Sequence, residues 1–249
     1  MDVELTDRVA IVTGASRGLG HAAATALVAE GARVLAVARS ADDLEKLRAT
    51  APDRIAVARA DMTDADQVAA LPDRAVEWFG RLDVVVNNAG IAPAGRFIDQ
   101  TRQEWDRVFA VNVRAPAVLA RAAGAHLLRQ RSGKVINVAS TSGINGKPGL
   151  VSYSSSKGAI LQFTKALAAE WARYGVQVNA IAPGAFETDA QAAVTGSPEI
   201  LQRRLRKIPA GRMGRTDEFG PLVCYLASPL SDFMTGSVLV FDGGEVNKL

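Results

Sequence analysis

The chain has 249 residues, of which 48% are apolar and 22% are charged, and its formal net charge is +3. This size and balance are typical of one globular α/β domain with a large core, and we expect a single domain over residues 1–249. The small net charge and the scattered basic residues argue against a nucleic-acid-binding protein.

A single cysteine, Cys224, excludes an intramolecular disulfide, and its apolar neighbours predict a buried thiol rather than a nucleophile. No apolar run is long enough to span a bilayer, and residues 1–4 lack the basic and apolar regions of a signal peptide. We therefore expect a cytoplasmic protein with no membrane partner. His21 and His126 lie far apart, without clustered cysteines or carboxylates, so no metal site is expected.

Short β-branched runs alternate with longer helical runs from one end of the chain to the other. This alternation predicts βαβ units and a parallel sheet covered by helices on both faces. The predicted strands are residues 9–13, 33–38, 54–59, 84–87, 134–139, 177–181 and 237–241. The predicted helices are residues 18–30, 41–49, 64–79, 101–129, 153–174 and 216–227.

The least regular stretch is residues 185–209, between the sixth predicted strand and a Pro-Ala-Gly turn. Such a stretch is typical either of a mobile lid over a substrate or of a plain surface excursion. It contains a short basic run, residues 203–207, which we interpret as a solvated helix face rather than an anion or partner site.

The first predicted strand leads into a glycine-rich segment, residues 14–20, and then into a helix. Glycines permit a tight turn there and let backbone N–H groups approach a pyrophosphate, whose charge also meets the helix N-terminus. The spacing is G-x-x-x-G-x-G rather than G-x-G-x-x-G, and a glycine-rich loop alone is weak support. Strand, loop and helix in this order indicate a dinucleotide site.

The second predicted strand ends at Ala38, where a site selective for NAD usually has an acid that bonds the ribose 2′-hydroxyl. Here Arg39 follows, and Arg17 lies in the glycine-rich segment. A carboxylate would repel a 2′-phosphate, whereas an arginine fork can bind it. The sequence therefore favours NADP(H) and leaves NAD(H) possible; the alternative for Arg39 is an exposed cap residue of the next helix.

Tyr153 and Lys157 begin a predicted helix, and Ser140 follows a predicted strand thirteen positions before the tyrosine. Residues four apart share one helix face, so the phenol and the ammonium should project into the same space. A neighbouring cation favours phenolate and lowers the pKa of a tyrosine, which otherwise lies near ~10, too high for acid–base work at neutral pH. Alone, this spacing is also that of an ordinary amphipathic helix.

Taken together, these motifs resemble the short-chain dehydrogenase/reductase family over essentially the whole chain. The resemblance implies an α/β fold with a single Rossmann-like domain, a three-layer sandwich built on a seven-stranded parallel sheet and usually assembled into a homotetramer. The segments that carry it are the cofactor loop at residues 13–20, the Asn-Asn-Ala-Gly motif at 87–90, the Pro-Gly pair at 183–184, and the tetrad Asn112, Ser140, Tyr153 and Lys157.

The resemblance also implies the roles of these residues. Tyr153 would exchange a proton with the substrate oxygen, Ser140 would hydrogen-bond that oxygen, and Lys157 would lower the tyrosine pKa and hold the nicotinamide ribose. Asn112 would hold a water that links Lys157 to solvent; without the family it would be interpreted as a polar residue bonding helix backbone. The residues expected to bind the cofactor are Gly14, Ser16, Arg17, Gly18, Leu19, Gly20, Arg39, Asp61 (the adenine contact), Met62, Asn88, Ala89, Gly90, Tyr153, Lys157, Pro183, Gly184, Phe186 and Thr188.

The substrate is a small-molecule or carrier-linked carbonyl or alcohol. Segments 183–189 and 208–214 look most like 3-oxoacyl-(acyl-carrier-protein) reductases, and sugar and polyol dehydrogenases of the gluconate 5-dehydrogenase type come second. Basic residues at the entrance would suit an acidic carrier protein; Arg129, Arg131 and Arg173 are candidates, although ordinary surface arginines are favoured. The expected substrate wall comprises Ser140, Ser142, Ile144, Asn145, Tyr153, Phe186 and residues of the 190s.

A function of another class is an NADP-binding sensor or scaffold without turnover. Such members usually lose part of the tetrad, and all four positions are filled here, which favours an enzyme.

Overall fold

Seven strands form one parallel sheet. The strands are β1 Val9–Thr13, β2 Arg33–Ala38, β3 Ile55–Arg59, β4 Val84–Asn87, β5 Gly133–Val138, β6 Val176–Pro183 and β7 Val238–Phe241. Their order in the sheet is β3-β2-β1-β4-β5-β6-β7. The computed structural model describes residues 3–248, without the side chains of Ala190 and Ala193. Met1, Asp2 and Leu249, which the predicted domain includes, lie outside the described residues.

Helices connect the strands and cover the sheet. The α-helices are α1 Gly18–Ala29, α2 Ala41–Thr50, α3 Ala65–Ala69, α4 Leu71–Phe79, α5 Arg102–Phe109, α6 Ala115–Gln130, α7 Val151–Trp171, α8 Ala192–Thr195, α9 Pro198–Leu205 and α10 Phe219–Ala227. This arrangement confirms the predicted single-domain Rossmann-like α/β fold.

The central strands are buried on both faces, and alternate residues enter two different apolar clusters. In β1, Ala10 and Val12 pack with α1, α2 and α10, whereas Val9 and Ile11 pack with α4, α6 and α7. This is why the strands are almost continuously apolar in sequence instead of alternating with polar residues. A sheet covered in this way leaves the carboxyl ends of its parallel strands as the edge where a ligand can bind.

Several predicted helices are divided in the structure. The predicted helix 64–79 is α3 and α4, separated at Ala70. The predicted helix 101–129 is α5 and α6, joined by a π-helical turn at Ala110–Arg114. The irregular stretch 185–209 contains the two short helices α8 and α9. Its role as a lid stays a prediction.

Cys224 lies in α10 and is buried, as its apolar neighbours predict. Burial raises the pKa of its thiol to about 12, so the nucleophilic thiolate is not formed at neutral pH. Among residues 3–248 no helix is long and apolar enough to cross a membrane.

A buried carboxylate fixes the amino ends of β1 and β4. The Asp83 side chain, 3% exposed, accepts hydrogen bonds from Arg81 at 2.6 and 2.8 Å and from Arg8 at 3.2 Å. It also accepts the backbone N–H of Val9 at 2.9 Å. Four donors to one carboxylate offset the cost of removing its charge from water.

We therefore expect Asp83→Asn to lower the free energy of unfolding by about 2–4 kcal/mol, because an amide presents two donors to groups that are themselves donors. Urea unfolding measures this value. Asp7→Asn is the matched control, since Asp7 pairs with Arg33 at the surface with 61% of its side chain exposed, and it should cost less than about 1 kcal/mol. Equal losses in the two variants would show that the buried carboxylate has no special role.

Candidate active site

One large cavity, of about 1260 Å³, opens at the carboxyl edge of the sheet. The segments that follow β1 to β6 line it. Most of the residues expected from the sequence to form the site lie in this lining: Gly14, Ser16, Arg17, Gly18, Leu19, Gly20, Arg39, Asp61, Met62, Asn88, Ala89, Gly90, Ser140, Ser142, Tyr153, Lys157, Pro183, Gly184, Phe186 and Thr188. Asn112, Ile144 and Asn145 are not part of the lining.

The glycine-rich segment is held open by Asn88. Its amide Nδ2 donates to the carbonyls of Thr13 at 2.8 Å and Gly14 at 3.3 Å. A Cβ on Gly20 would lie 2.2 Å from the Gly14 carbonyl oxygen and 2.3 Å from Asn88 Nδ2. Only glycine fits this position, and the resulting strand–loop–helix with close backbone is the geometry that a pyrophosphate needs.

Two arginines, one in the glycine-rich segment and one after β2, have guanidinium groups that bind no other side chain among the described residues. Neither Arg17 nor Arg39 makes a side-chain hydrogen bond or ion pair with another residue of the part described, and both line the cavity. The Asp61 carboxylate nearby accepts the backbone N–H and the hydroxyl of Thr63, at 2.8 and 2.9 Å. These bonds, with the charge of Arg39, lower the pKa of Asp61. The loop and the free arginines together suit a phosphorylated dinucleotide.

The catalytic candidates meet where β5 ends. Lys157 is buried in α7, and its Nζ donates to the Val138 carbonyl at 2.7 Å. The same Nζ lies 5.7 Å from the centre of the Tyr153 ring, so the two side chains share one helix face as the spacing predicts. Ser140, two residues beyond Val138, hydrogen-bonds the tyrosine. One strand end and one helix turn therefore bring the hydroxyl, the phenol and the ammonium together.

Burial dominates the ionisation of this group. It raises the pKa of the half-buried Tyr153 phenol, and the hydrogen bond with Ser140 offsets only part of that rise. It lowers the pKa of Lys157 to about 8. Burial, rather than the charge of Lys157, sets the direction of the shift, so the expected lowering of the tyrosine pKa by Lys157 is not found. Both shifts have one physical cause, which is that a site removed from water disfavours charge.

Asn112 lies in the π-helical turn, and its side chain is fully engaged. Its Oδ1 accepts the Ile91 N–H at 2.9 Å, and its Nδ2 donates to the Ile91 carbonyl at 2.9 Å and to Ser156 Oγ at 3.0 Å. In an α-helix its backbone carbonyl would accept from residue 116, but Pro116 has no N–H. The carbonyl of Asn112, rather than its amide, is the group without an α-helical donor.

Two residues of the expected substrate wall do not line the cavity. Ile144, which follows the 3₁₀ turn at Thr141–Gly143, is exposed, and the Asn145 amide donates to the Val246 carbonyl at 3.2 Å. Phe186 does line the cavity, and its ring packs edge-on against two other phenylalanines of the core. Of the expected wall in the 190s, the side chains of Ala190 and Ala193 lie outside the described residues.

The structure adds three cations that sequence reasoning did not place in the site. Arg107 of α5 lines the cavity and helps to lower the pKa of Asp61. Lys147, between Ser140 and Tyr153, and Arg204, in the basic run 203–207, line it too. Arg204 corrects the interpretation of that run as a solvated face, because its side chain is 18% exposed and bound to Glu245. No sequence signal identified Lys147 or Arg204, because their contacts with Glu245 span 98 and 41 residues.

Within residues 3–248 there is no group of three or more histidines, cysteines or carboxylates that could hold a metal ion.

The pKa of Lys157 predicts a pH dependence of stability. A lysine in the unfolded chain titrates near about 10.4, above the folded value of about 8, so between these pH values the unfolded chain binds more protons. The free energy of unfolding should then rise with pH across this window because of Lys157. Urea unfolding of the wild type and Lys157→Met, between about pH 7.5 and 9.5, should show the difference growing in favour of the wild type.

Lys165→Met removes an exposed lysine from the same helix and is the matched control. A constant difference between the wild type and Lys157→Met across the window would contradict the lowered pKa.

Comparison with known proteins agrees with this geometry. The family model described as enoyl-(acyl carrier protein) reductase matches residues 14–245. The chain is 34% identical over 248 residues to a 3-oxoacyl-(acyl-carrier-protein) reductase of Thermotoga maritima, covering 98% of this chain and 100% of that protein. It is 37% identical over 248 residues to the cis-4-hydroxycyclohexanecarboxylate dehydrogenase of Sinomonas cyclohexanicum, covering 98% of each.

A solved structure assigned as an NAD(P)-dependent gluconate 5-dehydrogenase from Beutenbergia cavernae, with bound NADP at low occupancy, superposes with a TM-score of 0.94. The two chains are 33% identical, and each is covered over its full length. The chain therefore belongs to the short-chain dehydrogenase/reductase family, and it is an NAD(P)-dependent oxidoreductase that acts on alcohol and ketone groups.

Proposed function

We propose that this protein interconverts a secondary alcohol and a ketone on a small polar molecule, with NADP(H) as the hydride carrier. The observation that carries the proposal is the convergence of Ser140, Tyr153 and Lys157 on the wall of a cavity whose other end is the glycine-rich loop. Proton exchange and nucleotide binding are thereby supplied within one enclosed space.

The chemistry divides between the nucleotide and the chain. The nicotinamide, when bound, supplies or accepts the hydride. Tyr153 gives its proton to the carbonyl oxygen in reduction and takes it back in oxidation. Ser140 donates a hydrogen bond to the same oxygen and stabilises the negative charge that develops there. Lys157, whose Nζ lies 5.7 Å from the centre of the tyrosine ring, would hold the nicotinamide ribose.

Proton resupply is assigned to the π-helical turn. Pro116 at the fourth position leaves the Asn112 carbonyl without its α-helical donor, and we propose that this carbonyl binds a water molecule. A Cβ built on Gly90 would lie 3.5 Å from both Asn112 Oδ1 and Lys157 Nζ, which puts this turn next to the ammonium. We infer that Asn112 serves through its backbone, while its side chain fixes the turn to Ile91.

The cofactor is proposed to be NADP(H) in preference to NAD(H). Arg39 follows the end of β2, where an acid would select the ribose 2′-hydroxyl, and its guanidinium has no partner among the described residues. A 2′-phosphate would satisfy both Arg39 and Arg17. The NADP bound to the Beutenbergia cavernae relative supports this choice.

We consider two substrate classes and favour hydroxy acids of the sugar-acid type. The structural relative is assigned to gluconate and the Sinomonas relative is named for a hydroxycyclohexanecarboxylate, which are both hydroxy acids. The second candidate, a 3-oxoacyl thioester, rests on the Thermotoga maritima relative. Arg129, Arg131 and Arg173 would not help a carrier protein dock, since they precede β5 and β6 at the edge opposite the cavity.

We also propose a homotetramer. Small and apolar residues of α6 and α7, among them Ala117, Gly124 and Leu167, form a shallow groove, and Phe233 near β7 is fully exposed. Exposed apolar surface of this kind marks a protein interface. A monomer in sedimentation equilibrium would contradict the assembly.

Tyr153→Phe should lower kcat for ketone reduction by about 10²–10⁴-fold, because it removes the proton donor and keeps the ring. NADPH binding, measured by fluorescence, should survive. Tyr174→Phe is the matched control, since Tyr174 packs with Arg173 at the other end of α7 and should retain wild-type activity. Turnover that survives Tyr153→Phe would show that Tyr153 is not the proton donor. Tight binding of NADPH without its oxidation across a panel of ketones would favour an NADP-binding sensor without turnover.

Arg39→Ala should weaken NADPH binding by about 10- to 100-fold and NADH binding much less, because only NADPH has the 2′-phosphate that this side chain would hold. Titration calorimetry with both nucleotides measures the two losses. Arg48→Ala, which removes an exposed arginine paired with Glu45 in α2, is the control. Equal losses for the two nucleotides would show that Arg39 does not discriminate between them.

A further inference from the structure

We propose that Lys147 and Arg204 form a binding site for a carboxylate on the substrate, so that the protein selects hydroxy acids and oxo acids over neutral alcohols and ketones. This inference rests on the proposed function, because it assigns the far end of the molecule whose carbonyl meets Ser140 and Tyr153.

The two cations reach the cavity from different segments. Lys147 lies in the connection between Ser140 and Tyr153, and its backbone N–H donates to Ser154 Oγ at 3.2 Å, which ties it to the first turns of α7. Arg204 comes from α9, near the end of the stretch that follows β6. A molecule held by its carbonyl at Tyr153 would therefore extend towards a pair of neighbouring cations that two separate segments supply.

These two side chains already hold a carboxylate. Arg204 binds Glu245 in a bidentate manner, at 2.5 and 2.7 Å, and Lys147 Nζ lies 3.3 Å from the same Glu245 Oε1. Glu245 is fixed in turn by Asp242, whose carboxylate accepts the backbone N–H groups of Gly244 and Val246 at 2.8 and 2.7 Å. The cations are thus held in place by the chain and are spaced to share one carboxylate group.

Glu245 neither occupies all the N–H donors of Arg204 and Lys147 nor neutralises both of their charges. Arg204 has five N–H groups and Lys147 has three, and Glu245 takes two of the former and one of the latter. Two cations face one carboxylate, and Lys207 adds a further positive charge near Lys147. Burial and the charges of Arg204 and Lys207 together lower the pKa of Lys147 despite the nearby Glu245 carboxylate. A substrate anion would compensate the remaining positive charge.

Of the other acids in the cavity lining, Glu104 is bound to Thr101, and Asp189 belongs to the cofactor end. Asp189 follows Thr188, and a Cβ on Gly18 would lie 3.5 Å from Thr188 Cγ2, so this part of the segment adjoins the glycine-rich loop. Asp189 makes no ion pair with Lys147 or Arg204. The positive character of the substrate wall is therefore not cancelled there.

Arg203 offers a natural control within the same helix. It is adjacent in sequence to Arg204, but 73% of its side chain is exposed, it pairs with Glu199, and it does not line the cavity. Removing Arg203 changes the net charge and the helix as much as removing Arg204 does, while the proposed site stays intact.

The experiment compares 4-oxocyclohexanecarboxylate and 4-oxopentanoate with their methyl esters, which keep the ketone and remove the charge. We expect kcat/KM with NADPH to favour each acid over its ester by about 10- to 100-fold in the wild type and in Arg203→Met. Lys147→Met and Arg204→Met should lose most of this preference, and the loss should appear mainly in KM because the anion lies away from the reacting carbon.

The outcomes separate the two levels of the proposal. Equal kcat/KM for acids and esters in the wild type, or an acid preference that survives Lys147→Met and Arg204→Met, overturns the carboxylate site and leaves the oxidoreductase function standing. No turnover of acids, esters or neutral ketones despite NADPH binding overturns the proposed function. Thermal unfolding checks each variant; if Arg204→Met unfolds because its bond to Glu245 is lost, Lys147→Met decides.

Discussion

The site depends on one buried ammonium. Lys157 has little contact with water, and its hydrogen bond to the Val138 carbonyl joins the middle of α7 to the end of β5. That bond also positions Ser140, which follows β5, and Tyr153, which lies in the first turn of α7. Burial of the Lys157 ammonium is unfavourable and lowers its pKa to about 8. Such perturbed groups are concentrated at functional sites. The neighbouring phenol is disfavoured as an anion by the same burial.

The carboxyl edge of the sheet gathers the other requirements around this group. The loop after β1 offers backbone for a pyrophosphate, the residues after β2 and β3 offer Arg39 and Asp61, and Asn88 after β4 holds the loop open. The C-terminal segment then returns to this edge, where Glu245 joins Arg204 to Lys147. Ion pairs with Glu245 consequently join the C-terminal segment to the connection after β5 and to α9. The substrate end of the cavity is therefore formed by residues distant in sequence.

The reading from sequence succeeded where local chemistry decides structure. Strands β1, β2 and β4 have the predicted bounds because buried parallel strands are continuous apolar runs. The sequence does not predict the π-helical turn at Ala110–Arg114, although Pro116 removes the α-helical donor of the Asn112 carbonyl, because the bonds of Asn112 to Ile91 are tertiary contacts. The tetrad follows from the family resemblance, and all of its members but Asn112 line the cavity with the glycine-rich segment. Lys147 and Arg204 were not predicted, because their position depends on tertiary contacts through Glu245 that have no local pattern.

The central claim is that the cavity sets a nicotinamide against a carbonyl held by Ser140 and Tyr153. The most direct test is to follow deuterium from NADPH deuterated at both C4 positions into the product alcohol by mass spectrometry, in the wild type and in Ser140→Ala. The account predicts deuterium on the former carbonyl carbon of a turned-over ketone, formed at a rate reduced by about 10²–10³-fold in the variant. Product without deuterium at that carbon, or a Ser140→Ala variant that forms labelled product at the wild-type rate, would contradict it.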